Sequence, residues 1–76
     1  MIKEHDRIAL RTNIPAEKLK SGDIGTVVHV YKKCAPFEVE LLTLHGETLT
    51  VTSLEASQVR PLQKREIAHA RLLKAT

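Results

Sequence analysis

Alternation of hydrophobic and polar residues divides most of the chain into short segments with the period of two that is typical of β-strands. The phase slips after Leu41, because Leu42 and Leu44 fall on the opposite parity, and this slip predicts a β-bulge or a second buried face. We expect Ile14 and Leu19 to pin the long loop between the first two strands. The predicted strands are Arg7–Arg11, Gly25–Tyr31, Phe37–Leu41, Thr48–Thr52 and Val59–Leu62.

One face of these strands is expected to form a core built mostly from Val, Ile and Leu. An isolated meander would leave that face in water, so closure into a barrel is the economical way to bury it. The sequence therefore predicts a mainly β domain over residues 1–62, a small SH3-like antiparallel barrel of four to five strands, with the threonines of the fourth strand facing outward. A short helical turn is expected at Leu54–Ser57. The predicted core residues are Ile8, Leu10, Val28, Val30, Phe37, Val39, Leu41, Leu49 and Val51.

Residues 63–76 leave the strand pattern and predict a C-terminal α-helix, an extension of the same single domain. They contain no Gly or Pro and are rich in Ala, Leu, Lys and Arg, which favour helices. Ile67, Ala70 and Leu73 recur at helical spacing. Such an apolar stripe packs either on its own barrel or on another chain.

Charge is distributed unevenly along the 76 residues, a length that suffices for one domain. Residues 1–59 carry seven Lys or Arg against eight Asp or Glu, a net charge of −1, whereas residues 60–76 carry five against one, a net charge of +4. Tyr31 and Phe37 are too few aromatic residues for a platform on which single-stranded bases stack. Phosphate contacts by the basic end remain an alternative. The candidate nucleic-acid residues are Arg60, Lys64, Arg65, Arg71 and Lys74.

The cysteine content points to a reducing compartment. One cysteine, Cys34, excludes an intramolecular disulfide, the staple that small domains in oxidising compartments often need. No apolar run has the length of a signal peptide or of a membrane span. We therefore expect a soluble, cytoplasmic protein.

Candidate chemistry is sparse, and we expect no catalytic residues, no metal and no cofactor. The stretch Ser21–Gly25 is interpreted as a turn capped by Asp23, because it precedes a strand and lacks the Gly-Lys-Ser/Thr ending of a phosphate loop. His29 is predicted to face outward beside Tyr31, with Glu38 or Glu40 as a cross-strand neighbour. The four histidines contain no local ligand pair of the kind that zinc sites use; they are His5, His29, His45 and His69.

Three segments of the chain carry a resemblance to a known family: Leu19-Lys20-Ser21-Gly22-Asp23-Ile24-Gly25-Thr26-Val27-Val28-His29-Val30-Tyr31, Phe37–Leu41 and Val59–Leu62. They resemble a family of small bacterial proteins known only as a domain of unknown function. The resemblance covers about residues 2–62. Phe37 stands where that family's pattern has Tyr, and Leu41 where it has Phe. The resemblance implies an SH3-like barrel and brings no catalytic residues. The Gly-Asp-x-Gly-x-Val core is also similar to the short motif of ribosomal and transcription-factor SH3-like modules that bind RNA or protein.

The chain has more apolar residues than the predicted core uses, which favours a contact surface for protein. We expect a non-enzymatic interaction module that binds itself or a partner protein through the outer strand face and the C-terminal helix, with no membrane and no small-molecule substrate. Neutralisation of a toxin or enzyme encoded nearby is one form of this hypothesis. The alternative is an RNA- or DNA-binding small barrel that uses the basic residues above. The predicted partner-binding residues are Leu42, Leu44, Ile67, Leu72 and Leu73.

Overall fold

Five antiparallel strands form one sheet in the computed structural model, which describes residues 2–31 and 36–73. The strands are β1 (Arg7–Leu10), β2 (Ile24–Val30), β3 (Phe37–Leu42), β4 (Thr48–Leu54) and β5 (Val59–Pro61). They lie in the order β4-β3-β2-β1-β5, so β4 and β5 are the two edges of the sheet. Two 3-10 turns, Pro15–Glu17 and Ala56–Gln58, lie in the connections that follow β1 and β4, and the second occupies the region of the predicted helical turn.

The sheet is open, so the prediction of a closed SH3-like barrel is wrong, while the mainly β class is confirmed. In the described ranges no ladder joins β4 to β5, because β5 has three residues and ends at Pro61, which has no N–H to donate. The loop between β1 and β2 covers the core instead. Leu19 of this loop is buried and Ile14 packs against the core, as predicted. Glu17 accepts a hydrogen bond from the Thr50 hydroxyl of β4 at 3.1 Å, which ties the loop to that edge.

The core occupies one face of the sheet, which we call the inner face; the opposite face is the outer face. A bulge in β2 changes the predicted core, because the register with β3 shifts between Val27 and His29. Val27 is therefore fully buried, whereas Val28, predicted to be buried, is exposed. The predicted residues that do lie in or against the core are Ile8, Leu10, Val30, Phe37, Val39 and Leu41.

The side chains of β4 alternate between the two faces of the sheet in the opposite order to the predicted one. Leu54 is buried at the end of this strand, and the period of two counted back from Leu54 turns Thr52 and Thr50 toward the inner face. The register agrees, because these two threonines lie opposite core residues of β3. Leu49 and Val51, predicted to be core residues, are consequently exposed.

The predicted β-bulge after Leu41 is confirmed, because the register of β3 with β4 shifts between Leu41 and Leu42. Leu41 lies in the core, and Leu42 is only half-buried. A tight turn then joins the strands: Thr43 accepts the backbone N–H of Gly46 at its carbonyl (3.0 Å) and the backbone N–H of Glu47 at its hydroxyl (3.0 Å). Gly46 has φ = 91°, a conformation that favours glycine.

The predicted C-terminal α-helix is wrong. Residues 62–73, the terminal segment, contain no helix, and residues 74–76 lie outside the described part of the chain. The two 3-10 turns are the helical elements of the described ranges, and neither is long and apolar enough to cross a membrane.

Side-chain contacts explain why the terminal segment does not form the helix that its apolar spacing predicts. An isolated helix of this length is marginal in water, so it forms only if its apolar stripe packs on something. Here Glu66 binds Arg60 and Arg71 binds Asp23, and these contacts hold the terminal segment against the sheet in a non-helical conformation.

Gly25 lies in β2 opposite Leu41, at a buried position with no room for a side chain. A Cβ there would lie 2.7 Å from Val39 Cγ1 and 2.9 Å from the Glu40 carbonyl oxygen. We therefore expect Gly25→Ala to lower the free energy of unfolding by about 1–3 kcal/mol, measured by urea denaturation.

A Val39→Ala background is the control for this prediction, because it removes the nearest methyl group but leaves the Glu40 carbonyl in place. The cost of Gly25→Ala should be smaller there and still above zero. An equal cost in the two backgrounds would contradict the overpacking explanation.

Candidate functional site

The Glu66 carboxylate holds the first part of the terminal segment against β5. Its two oxygens accept hydrogen bonds from Arg60, each at 2.7 Å, in a bidentate pair. The backbone N–H of Gln63 donates to the same carboxylate at 2.7 Å. The Arg60 hydrogen bond, followed by the Gln63 bond, lowers the pKa of Glu66 to about 2. Glu66 is therefore ionised at neutral pH and closes a turn over residues 63–66.

Asp23 joins the last part of the terminal segment to the turn that enters β2. Its carboxylate accepts the backbone N–H of Lys20 at 2.8 Å, so Asp23 caps this turn as predicted. The same carboxylate accepts two hydrogen bonds from Arg71, Nε to Oδ1 at 3.1 Å and Nη2 to Oδ2 at 2.5 Å. The hydrogen bond to Asp23 raises the pKa of Arg71. One carboxylate thus links two segments that are 48 residues apart in the sequence.

The terminal segment and the β3–β4 hairpin enclose an open groove on the outer face of the sheet, which we call the outer groove. Its volume is about 640 Å³, within the range of sites that hold small ligands. Ile24 of β2 lines it between the two walls. Four of the five predicted partner-binding residues line this groove, together with Leu49, which was not among them. The leucines that line the outer groove are therefore Leu42, Leu44, Leu49, Leu72 and Leu73.

Ile67, the fifth predicted partner-binding residue, does not line the outer groove. It borders a second cavity, of about 370 Å³, between the terminal segment and β1. Ala9 and Leu62 line the same cavity. Ile8 and Leu10 face the core on the inner face, so Ala9 between them faces the outer face. Ala9 is nevertheless buried, because the terminal segment covers the outer face at this point.

The outer groove presents apolar surface to solvent without an unpaired charge. Among the described residues that line it, Asp23 and Arg71 carry formal charges, and they are paired with each other. Leu44 is 82% exposed and Leu72 is 93% exposed, so the side chains on both walls are open to an incoming group. A matching occupant is therefore apolar and uncharged.

The predicted nucleic-acid residues differ in how their charges are paired. Arg60 and Arg71 are each bound to a carboxylate, so two of the five predicted charges are already neutralised. Lys64 and Arg65 are exposed in the turn of the terminal segment, and Lys74 lies outside the described residues. A phosphate that bound either arginine through the same two nitrogens would have to compete with its carboxylate.

A polar cluster on the outer face surrounds Glu38 of β3. The Glu38 carboxylate accepts hydrogen bonds from the Tyr31 hydroxyl at 3.3 Å and the Ser53 hydroxyl at 2.7 Å, and its charge raises the pKa of Tyr31. His29 lies opposite Glu38 in the register, one of the two cross-strand neighbours predicted for it. Its Nδ1, however, lies 3.1 Å from Glu4 Oε2, a partner that strand alternation could not identify. The cluster ties β2, β3 and β4 together at their surface.

In the ranges that the structure describes, no three His, Cys, Asp or Glu side chains come together in a group that could hold a metal ion. His45 and His69 line the outer groove, and His29 is bound to Glu4. Cys34 lies outside the described residues.

A comparison with known protein families finds a match that covers most of the chain. Residues 4–61 match the family described as Domain of unknown function (DUF4926). This range contains all five strands and the β3–β4 hairpin, and the terminal segment lies beyond it. No curated protein and no solved structure matches the chain.

The pKa of Glu66 gives a pH-dependent prediction. Because its folded pKa of about 2 lies below the ordinary value of 4.5, the Glu66–Arg60 pair stabilises the fold above pH 4.5 and is lost as the pH falls through about 2. We expect an NMR titration of the Glu66 carboxyl carbon to give a midpoint near 2. Arg60→Gln should move the midpoint toward 4.5, and a midpoint near 4.5 in the unchanged protein would contradict the pairing.

Arg71→Gln should release the end of the terminal segment, because it removes the guanidinium that Asp23 holds. We expect lower ¹⁵N heteronuclear NOE values over residues 67–73 in this variant. Arg65→Gln makes the same charge change in the same segment at an exposed site and should leave those values unchanged. Equal mobility in the two variants would show that the Asp23 contact does not hold the segment.

Proposed function

The chain belongs to the family described as Domain of unknown function (DUF4926), and we propose that it is a non-enzymatic module that binds protein through the outer groove. The proposed occupant is an uncharged, apolar segment of another protein. The observation that carries this proposal is the meeting of five leucines, from two distant parts of the chain, around one open groove.

The exposure of these leucines supports a binding role. Fully burying a leucine side chain contributes about 1.5–3 kcal/mol, so each leucine that a partner covers favours association. The ion pairs of the terminal segment hold one wall of the groove in place before a partner arrives. Such preorganisation lowers the conformational entropy that binding must otherwise remove.

The charges of the groove support an apolar occupant over a nucleic acid. Asp23 pairs with Arg71 at the groove wall, so among the described residues that line the groove no lysine or arginine is left without a carboxylate partner for phosphate. Lys64 and Arg65 are the predicted nucleic-acid residues that lie in the described part of the chain and are not paired with a carboxylate there. Two phosphate contacts are few for a nucleic-acid surface, whose affinity rises with the number of such contacts.

The test compares two variants of the terminal segment that differ in whether they line the groove. Leu72 lines it and is 93% exposed, whereas Ile67 does not line it and is 94% exposed. Tagged wild-type protein, Leu72→Asp and Ile67→Asp are used to isolate partners from native extract treated with nuclease. The affinity of a stoichiometric partner is then measured with purified proteins.

We expect Leu72→Asp to weaken binding about tenfold to a hundredfold, in line with the loss of one buried leucine contact, and Ile67→Asp to leave it unchanged. Leu44→Asp, on the opposite wall, should have the same effect as Leu72→Asp. Equal losses with Ile67→Asp, or binding that disappears with nuclease treatment, would contradict the proposal and favour the basic residues.

A further inference from the structure

The two edges of the sheet differ in how they are protected from pairing with another chain. β5 is three residues long, contains Arg60 and ends in Pro61, features that discourage strand addition. β4 is seven residues long and contains no charged residue, no Pro and no Gly. In the described part of the chain β4 pairs with β3 alone, so its other side carries unpaired backbone N–H and C=O groups. β4 is therefore the edge at which a further strand can add.

The side chains on the outer face of β4 are apolar as well as exposed. Leu49 is 43% exposed and Val51 is 50% exposed. Among the described residues, the side-chain hydrogen bond that reaches β4 from outside the sheet joins Glu17 to Thr50, whose side chain is turned toward the inner face. The outer half of the edge is left open by this contact.

The sequence of β4 is complementary to itself when read in the antiparallel sense. Pairing about Val51 places Val51 opposite its own copy, Thr50 opposite Thr52, and Leu49 opposite Ser53. Threonine pairs and β-branched apolar pairs are favourable across strands, and within β4 this register brings no like charges together. Just beyond the strand, Glu47 falls opposite Glu55 of the other copy, which limits the pairing to the seven residues of β4. An arrangement of this kind has the two-fold symmetry of most homodimers.

We propose that two copies of the chain associate by antiparallel pairing of β4 with β4, centred on Val51. The two sheets then form one continuous sheet, and Val51 of each copy is covered by the other. This surface overlaps the proposed protein-binding groove at Leu49, whereas Val51, at its centre, does not line the outer groove. Leu49 belongs to both surfaces and is therefore unsuitable as a test of either.

The first experiment measures the molar mass of the purified full chain by sedimentation equilibrium over a wide range of concentrations. We expect wild type to move reversibly from monomer to dimer, and Val51→Lys to weaken dimerisation at least about tenfold, because two lysines would meet at the two-fold axis. Val28→Lys is the control, since Val28 is an exposed valine (39%) within β2, away from both edges. It should dimerise like wild type, as should Leu72→Asp.

A monomer at every concentration would overturn the proposal, as would a dimer that Val51→Lys leaves intact. Loss of the dimer in Leu72→Asp but not in Val51→Lys would assign self-association to the outer groove instead.

A second experiment tests the register and does not depend on how well the lysine variant folds. In a Cys34→Ser background, Val51→Cys should form a disulfide-linked dimer on mild oxidation, because each thiol faces its own copy. Ser53→Cys alone should not, since it faces Leu49 of the other copy. Equal cross-linking of the two variants would overturn the proposed register.

Discussion

The carboxylate of Asp23 is the contact on which the outer surface of the protein depends. It accepts the backbone N–H that closes the turn into β2 and the guanidinium of Arg71, so one side chain serves a local turn and a contact 48 residues away. Without this contact, the end of the terminal segment has no charged attachment to the sheet, and the outer groove loses a wall. Arg60 and Glu66 make the corresponding attachment at the start of the same segment.

The open sheet follows from how few residues are available to close it. β5 has three residues, and its last, Pro61, cannot donate a hydrogen bond, so the chain covers its core with Leu19 and Ile14 from a loop. That solution leaves β4 as an edge. The edge of β4, one of the two surfaces proposed for binding, is available because no ladder in the described ranges joins β4 to β5. The other, the outer groove, depends on the terminal segment that lies against the outer face.

The strands, the bulge after Leu41 and the pinned loop could be predicted from the sequence, because each depends on neighbours within a few residues. The inward-facing side of β4 was predicted wrongly because Leu49 and Val51 suggested that the odd-numbered residues face the core. Leu54 is buried instead, which turns the even-numbered residues of the strand toward the core. The C-terminal helix was predicted wrongly because Arg71 binds a partner 48 residues away in the sequence, which the local spacing of apolar residues does not indicate. Four of the predicted partner-binding residues line the outer groove, whereas Ile67, which helical spacing had placed beside them, borders the second cavity.

The outer groove is assembled from two parts of the chain with different family status. The hairpin wall lies within residues 4–61, the range that matches the family, whereas Leu72 and Leu73 lie beyond it. The family match therefore covers the residues of one wall of the outer groove and ends before the residues of the other. A change of sequence after Pro61 would alter the second wall and leave the sequence of all five strands unchanged.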